Sequence, residues 1–168
     1  MDMKWLIKPL IKNELNSKLI LISYGDAGNM SNFLELAYLL AEKGYSVAMY
    51  DYRGFGKSSA FAYNSKFLFH DEYIDDLKAV FQFYQKDFST IYGYGLSMGG
   101  IIISKSNLNF KKIVLESTPN NLPLFIKRLE KKKGKQILLP SNDKLEMVLS
   151  NTSIKTLILC GKMDELCL

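Results

Sequence analysis

The sequence predicts an α/β fold: a mostly parallel sheet with helices on both faces. Three observations predict it. Short, largely apolar runs of β type alternate with stretches of helical spacing, the pattern of strands joined by crossover helices. The run Leu19 to Tyr24, LILISY, reads as a buried strand. Over 168 residues, 48% are hydrophobic and 23% charged, an ordinary folded balance that fits one domain. Residues 1–168 are therefore read as a single domain, with a polar insertion at about 119–153.

The elements follow in order. Residues 4–11 are read as an edge strand and residues 19–24 as the first buried one. Gly25-Asp26-Ala27-Gly28-Asn29 then makes a turn. Ser31 is placed to cap a helix whose apolar residues Phe33, Leu34, Leu36, Ala37, Leu39 and Leu40 recur at helical spacing. Gly44 stands where a glycine ends a helix. Residues 47–50 form the next strand, ending at Asp51, and Arg53 is expected to pair with Asp51. A long loop over 53–69 carries Phe55, Phe61, Tyr63, Phe67 and Phe69, which either pack on the core or line an acyl pocket. Residues 71–85 read as a helix with Ile74, Leu77, Val80, Phe81 and Tyr84 on one face. A strand at 91–95 runs into Leu96-Ser97-Met98-Gly99-Gly100 and a short helix. Two more strands are expected at 113–115 and 156–160. The insertion holds Pro119, Pro123, Pro140 and the basic run 127–135, a solvated surface or a contact for anionic lipid or for an acyl-phosphate-bearing substrate.

Composition narrows the function classes. With 22 Lys plus Arg against 17 Asp plus Glu, the net charge is 22 − 17 = +5. That is too small an excess to imply nucleic acid. No apolar run approaches the roughly 20 residues of a membrane span. The start has no uninterrupted apolar stretch of a signal peptide, so a cytoplasmic location is expected. Cys160 and Cys167 read as reduced thiols. One histidine leaves no metal site in prospect, and no cofactor is expected.

The chemistry-bearing pattern is Gly95-Leu96-Ser97-Met98-Gly99. A serine hydroxyl is a weak nucleophile and must be exposed and polarised. A sharp strand-to-helix turn exposes it, and leaves no room for side chains two positions away on either side. The helix that follows aims backbone N–H groups, Met98 first, at a developing oxyanion. A second pattern, Gly93-Tyr94-Gly95 with Gly99 and a strand-end Glu116, would suit a dinucleotide, but it gives the segment 51–58 no task.

On these residues the chain resembles the α/β-hydrolase superfamily, in particular serine hydrolases of the monoglyceride-lipase and acyl-peptidase-like kind. Three segments carry the likeness. They are Gly44-Tyr45-Ser46-Val47 through Asp51-Tyr52-Arg53-Gly54-Phe55-Gly56-Lys57-Ser58, the turn around Ser97, and Thr156-Leu157-Ile158-Leu159-Cys160-Gly161-Lys162-Met163-Asp164. The resemblance implies Ser97 as nucleophile and Asp164 as the acid that orients a histidine. It implies an oxyanion hole from the N–H groups of Met98 and of Asp26 or Ala27. Many relatives carry His-Gly where this chain has Tyr24-Gly25.

The family places its histidine after the acid, and no histidine follows Asp164. The final helix and strand of the fold are thus expected to be lacking, which would leave a sheet edge open to a partner chain or to self-association. His70, at the start of the helix at 71–85, is the one candidate base in the sequence. The function expected is that of a serine hydrolase-like protein for ester, thioester or amide bonds of a small acyl substrate, impaired or inactive for want of the catalytic histidine. The alternative is a non-catalytic remnant or interaction module of the same fold.

Overall fold

A computed structural model describes residues 11, 17–26, 28–140 and 154–161. Among the described residues five strands form one sheet in the order β2-β1-β3-β4-β5: β1 (Lys18–Ser23), β2 (Ser46–Met49), β3 (Thr90–Leu96), β4 (Ile113–Glu116) and β5 (Thr156–Leu159). Every pairing among these five strands is parallel. Alternate residues of the buried strands serve opposite faces. Ile20, Ile22, Val47 and Met49 pack with Ala37 of α1 (Leu34–Glu42). Leu19, Leu21, Ala48, Ile91, Ile113 and Leu115 pack with α2 (Asp71–Tyr84) and α3 (Met98–Lys105) on the other face. In β1 and β2 both faces are covered, which explains their apolar runs, whereas β3 and β4 are half-buried on one face.

The strand and helix bounds fall within a residue or two of those expected, with one change of cap. Asn29, not Ser31, caps the first helical segment, a single 3-10 turn over Met30–Phe33. Its side chain accepts the Ser31 N–H at 2.9 Å, and the Asn32 side chain accepts the Asn29 N–H at 3.0 Å. A short amide side chain closes such a turn on the backbone two residues ahead, so the chain turns earlier than the apolar spacing suggests.

Arg53 does not pair with Asp51. Asp76 of α2 is only 2% exposed and needs a cation. Arg53 supplies it through Nη2 at 2.5 Å and Nε at 3.0 Å, and its own backbone N–H adds a bond at 3.0 Å. Asp51 is occupied elsewhere. It accepts the Tyr24 hydroxyl at 2.8 Å, the Met30 N–H at 2.8 Å and the Lys57 N–H at 3.3 Å. The two carboxylates thus both hold the loop that follows β2, Asp76 at Arg53 and Asp51 at Lys57. Of the aromatic residues of that loop, Phe69 is buried and Phe55 and Phe61 lean on the same core, whereas Tyr63 is exposed.

Part of the expected insertion is a helix, α4 (Leu122–Lys133). The Asn121 side chain accepts the Leu124 N–H at 3.0 Å, Pro123 lies in the first turn, and Gly134 ends the helix at φ 63°. Leu122, Phe125 and Leu129 bury one face of it. Residues 141–153 lie outside the described residues. So do residues 4–10 of the expected edge strand; Ile11 makes an antiparallel bridge to Val47. At the other sheet edge, Leu157, Ile158 and Leu159 of β5 are exposed. Among the described residues no helix is long and apolar enough to cross a membrane, and no group of His, Cys, Asp and Glu could hold a metal ion.

Five buried tyrosines give the fold a pH limit. Burial pushes the Tyr73 and Tyr84 phenols up to about 12, and raises those of Tyr24, Tyr50 and Tyr52 further. The unfolded chain ionises them near 10. Their contribution to stability is therefore complete below pH 10 and is lost as pH climbs through 12. An alkaline titration followed by circular dichroism and phenolate absorbance will show unfolding and tyrosine ionisation as one transition beginning above pH 10.

Candidate active site

The chain leaves β1 through α1 to β2 on one side, then returns through α2 to β3 on the other side of β1. Connections therefore diverge at the carboxyl ends of β1 and β3, where open α/β sheets form a crevice. Ser97 stands directly after β3, and Gly25 and Asp26 follow β1 closely.

The turn at Ser97 is set by close approach. A Cβ on Gly95 would lie 2.5 Å from Gly100 Cα. A Cβ on Gly99 would run into the Ser23 carbonyl oxygen, and one on Gly100 into the Thr118 side chain. With those positions bare, α3 packs against the ends of β1 and β4, and the backbone bends within one residue. Ser97 takes up the bend at φ 52° and ψ −116°. For a residue with a Cβ this costs about 1–3 kcal/mol. The Ser97 N–H donates to the Glu116 carbonyl at 2.9 Å, and the Ser97 carbonyl accepts the Gly100 N–H at 3.0 Å, which hold the strained residue in place.

Ser97 and Met98 line a cavity of about 520 Å³ with Asp26, Leu68, Ile101, Ser117, Phe125, Leu129, Lys132 and Lys133. Met98 is the first residue of α3, so its N–H has no acceptor within its own helix. Gly25 lies against the turn: a Cβ there would be 3.5 Å from Ser97 Cβ. The Asp26 carboxylate is exposed and lines the same cavity. Tyr24 turns the other way. Its buried ring stacks on Phe33 at 5.2 Å, and its hydroxyl goes to Asp51.

The structure brings Ser97, Met98 and Asp26 together; Ala27 and Asp164 lie outside the described residues. His70 is not among the residues lining the cavity. It precedes α2, with its ring between Phe61, Phe67 and Tyr73 at 5.2 to 5.4 Å. Its Nε2 accepts the Asn64 N–H at 3.3 Å. Nor do Phe55, Phe61, Tyr63, Phe67 and Phe69 line the cavity; Leu68, Ile101, Phe125 and Leu129 form its apolar wall. Glu116, the candidate ribose ligand, instead receives the Tyr94 hydroxyl.

Sequence reasoning missed Ser117. The register Leu96↔Glu116 makes residues 97 and 117 neighbours at adjacent strand ends, and Ser117 also has a positive φ, 45°. That register is not written in the sequence. Lys132 and Lys133 were visible only as part of a basic run.

Two substitutions test the turn. Ser97→Gly removes the strain and is expected to raise stability by about 1 kcal/mol, the relief being partly offset by glycine's greater backbone entropy. Gly99→Ala is expected to lower stability by about 3 kcal/mol through overlap with the Ser23 carbonyl. Urea unfolding of both variants beside the parent checks the opposite signs.

Comparison with known proteins agrees with this architecture. Residues 15–118 match the family described as "Serine aminopeptidase, S33". No curated protein matches. Among solved structures, a lipase-esterase related protein from Clostridium acetobutylicum aligns with a TM-score of 0.61 at 23% identity, over 79% of this chain and 56% of that one. The esterase Pf2001 from Pyrococcus furiosus aligns with a TM-score of 0.62 at 22% identity, over 82% and 62%. An esterase from Exiguobacterium antarcticum aligns with a TM-score of 0.57 at 26% identity, over 79% and 46%. The chain thus spans about half the length of these structures. More than half of its residues match the family pattern, and its parallel sheet has the order and the strand-to-helix turn described above: the chain belongs to the S33 serine aminopeptidase family of α/β-hydrolases.

Proposed function

We propose that this chain is a serine hydrolase-like protein for carboxylic-ester, thioester or amide bonds, with Ser97 as its nucleophile. The observation that carries the reading is Ser97 itself: a strained serine at the switch point of a parallel sheet, on the wall of a cavity large enough for a small acyl group. Strain of this kind persists where surrounding structure holds it, and it clusters at reactive sites. The likeness to the Exiguobacterium antarcticum esterase, at 26% identity, supports the same chemistry.

In this reading Ser97 Oγ attacks the carbonyl carbon. The Met98 N–H and a backbone N–H of Asp26 or Ala27 receive the oxyanion. The Asp26 side chain lines the same cavity, and a carboxylate close to a developing negative charge raises the barrier unless it points away from it. Asp164 would orient an imidazole that takes the Ser97 proton and returns it to the leaving group. The sequence holds one histidine, His70, and its ring is engaged by Asn64 and three aromatic residues. Turnover by these 168 residues alone is therefore expected to be residual. The same engagement of His70 favours a second reading, a module that keeps the fold without turnover.

Adding a base separates the two. With p-nitrophenyl butyrate as substrate, free imidazole is expected to raise the rate of the parent chain about tenfold above that of Ser97→Ala under the same conditions, less than a positioned base provides. In the same imidazole buffer a fluorophosphonate probe should add one adduct to the parent and none to Ser97→Ala by intact-mass measurement. Equal imidazole-dependent rates in parent and variant, with no adduct, would leave the non-catalytic module as the reading that stands.

A further inference from the structure

The cavity beside Ser97 is apolar over part of its wall and basic where α4 ends. Phe125 and Leu129 lie one turn apart on α4, and the last turn of the same helix contributes Lys132 and Lys133 to the same cavity. Residues three, four and seven apart share a helix face. One face of α4 therefore passes from an aromatic ring through a leucine to two ammonium groups. From Phe125 to Lys132 the helix rises about 10 Å, the span of a medium-length hydrocarbon chain.

The charge at that end is not explained by the helix alone. The C-terminus of a helix carries roughly half a negative charge, which one lysine in the last turn more than offsets. The last turn of α4 holds three, Lys131, Lys132 and Lys133, and two of them line the cavity. The negative side chain among the lining residues is Asp26, which comes from the loop after β1, beside the turn at Ser97. An anion entering the cavity is attracted by α4 and repelled by the residue next to the nucleophile. This arrangement orients a ligand by charge as well as by its apolar part.

We propose that the cavity selects acyl substrates with an anionic group remote from the scissile carbonyl, such as ω-carboxyacyl esters, and that Lys132 and Lys133 determine this selectivity. The inference rests on the acyl-hydrolase reading for the position of the carbonyl, but its central claim is about binding and is measured without turnover.

The probes are monomethyl suberate and dimethyl suberate, equal in chain and different by one charge. Binding to the full chain is measured by calorimetry at low and high salt, together with a Lys132→Glu/Lys133→Glu variant and a control, Lys127→Glu/Lys131→Glu. The control makes the same change in net charge with residues that do not line the cavity. All four side chains are exposed, so both variants should fold, and circular dichroism verifies it. The parent is expected to bind the monoester roughly fivefold more tightly than the diester, a preference that weakens as salt screens the lysines. The cavity variant should lose or reverse the preference, and the control should keep most of it. Equal binding of both probes by the parent overturns the proposal, as does equal loss in both variants, which would make the effect one of overall charge. Failure of the underlying reading looks different: the preference for the monoester is present, yet neither probe is cleaved in a Ser97-dependent way when imidazole is added.

Discussion

The architecture depends on one steric constraint, the contact between the start of α3 and the carboxyl ends of the central strands. Gly99 lies against the Ser23 carbonyl and Gly100 against Thr118, so the helix begins directly on top of β1 and β4. Gly95 lets the strand that enters the turn pass beneath the same helix. No side chain fits at these three positions, and the whole change of direction falls on residue 97. A relaxed turn of two or three residues would place the serine farther from the sheet and from the Met98 amide. Strain at Ser97 and bare glycines around it are two aspects of one packing solution.

The loop after β2 is held by a comparable economy of charged groups. Asp51 and Asp76 are both buried, and each is satisfied by partners from outside its own segment. Asp51 ties the end of β1, through the Tyr24 hydroxyl, to the 3-10 turn, through the Met30 amide. Asp76 ties α2 to the loop through Arg53. A buried carboxylate without such donors would cost several kcal/mol, so these contacts fix where the loop runs. They also account for Tyr24 standing where many relatives carry histidine. Its hydroxyl reaches down to Asp51, while its carbonyl accepts the Tyr52 hydroxyl at 2.9 Å and aligns the segment that leads to Gly25.

Much of this was legible in the sequence, for reasons that can be located. Strands β1 and β2, covered on both faces, leave apolar runs, and β3, β4 and β5 are rich enough in β-type residues to be placed to within a residue or two as well. The turn at Ser97 was legible because its glycines answer a local steric demand. What could not be read depends on contacts between distant segments. Arg53 has two carboxylates within reach in the sequence pattern, and only the packing of α2 decides for Asp76. Ser117 reaches the cavity through strand register, which the sequence does not state. The helix α4 could have been found: Asn121, Pro123 and Gly134 are start and stop signals at the right spacing. Its basic residues hid them, because Leu122, Phe125 and Leu129 are few among so many lysines.

The same helix shows why charge runs should be judged by where they end. A basic stretch on a solvated surface has no directional consequence. Here the buried stripe Leu122, Phe125 and Leu129 fixes the rotation of α4 about its axis, and that rotation decides which lysines face the cavity. Lys132 and Lys133 are among its lining residues, whereas Lys127 and Lys131 are not. Because apolar burial sets this division, exchanging lysines along the helix would keep the net charge while changing the field inside the cavity. The position of the ammonium groups relative to Ser97 and Asp26, and not their number, is the quantity on which the charge selectivity of the site turns.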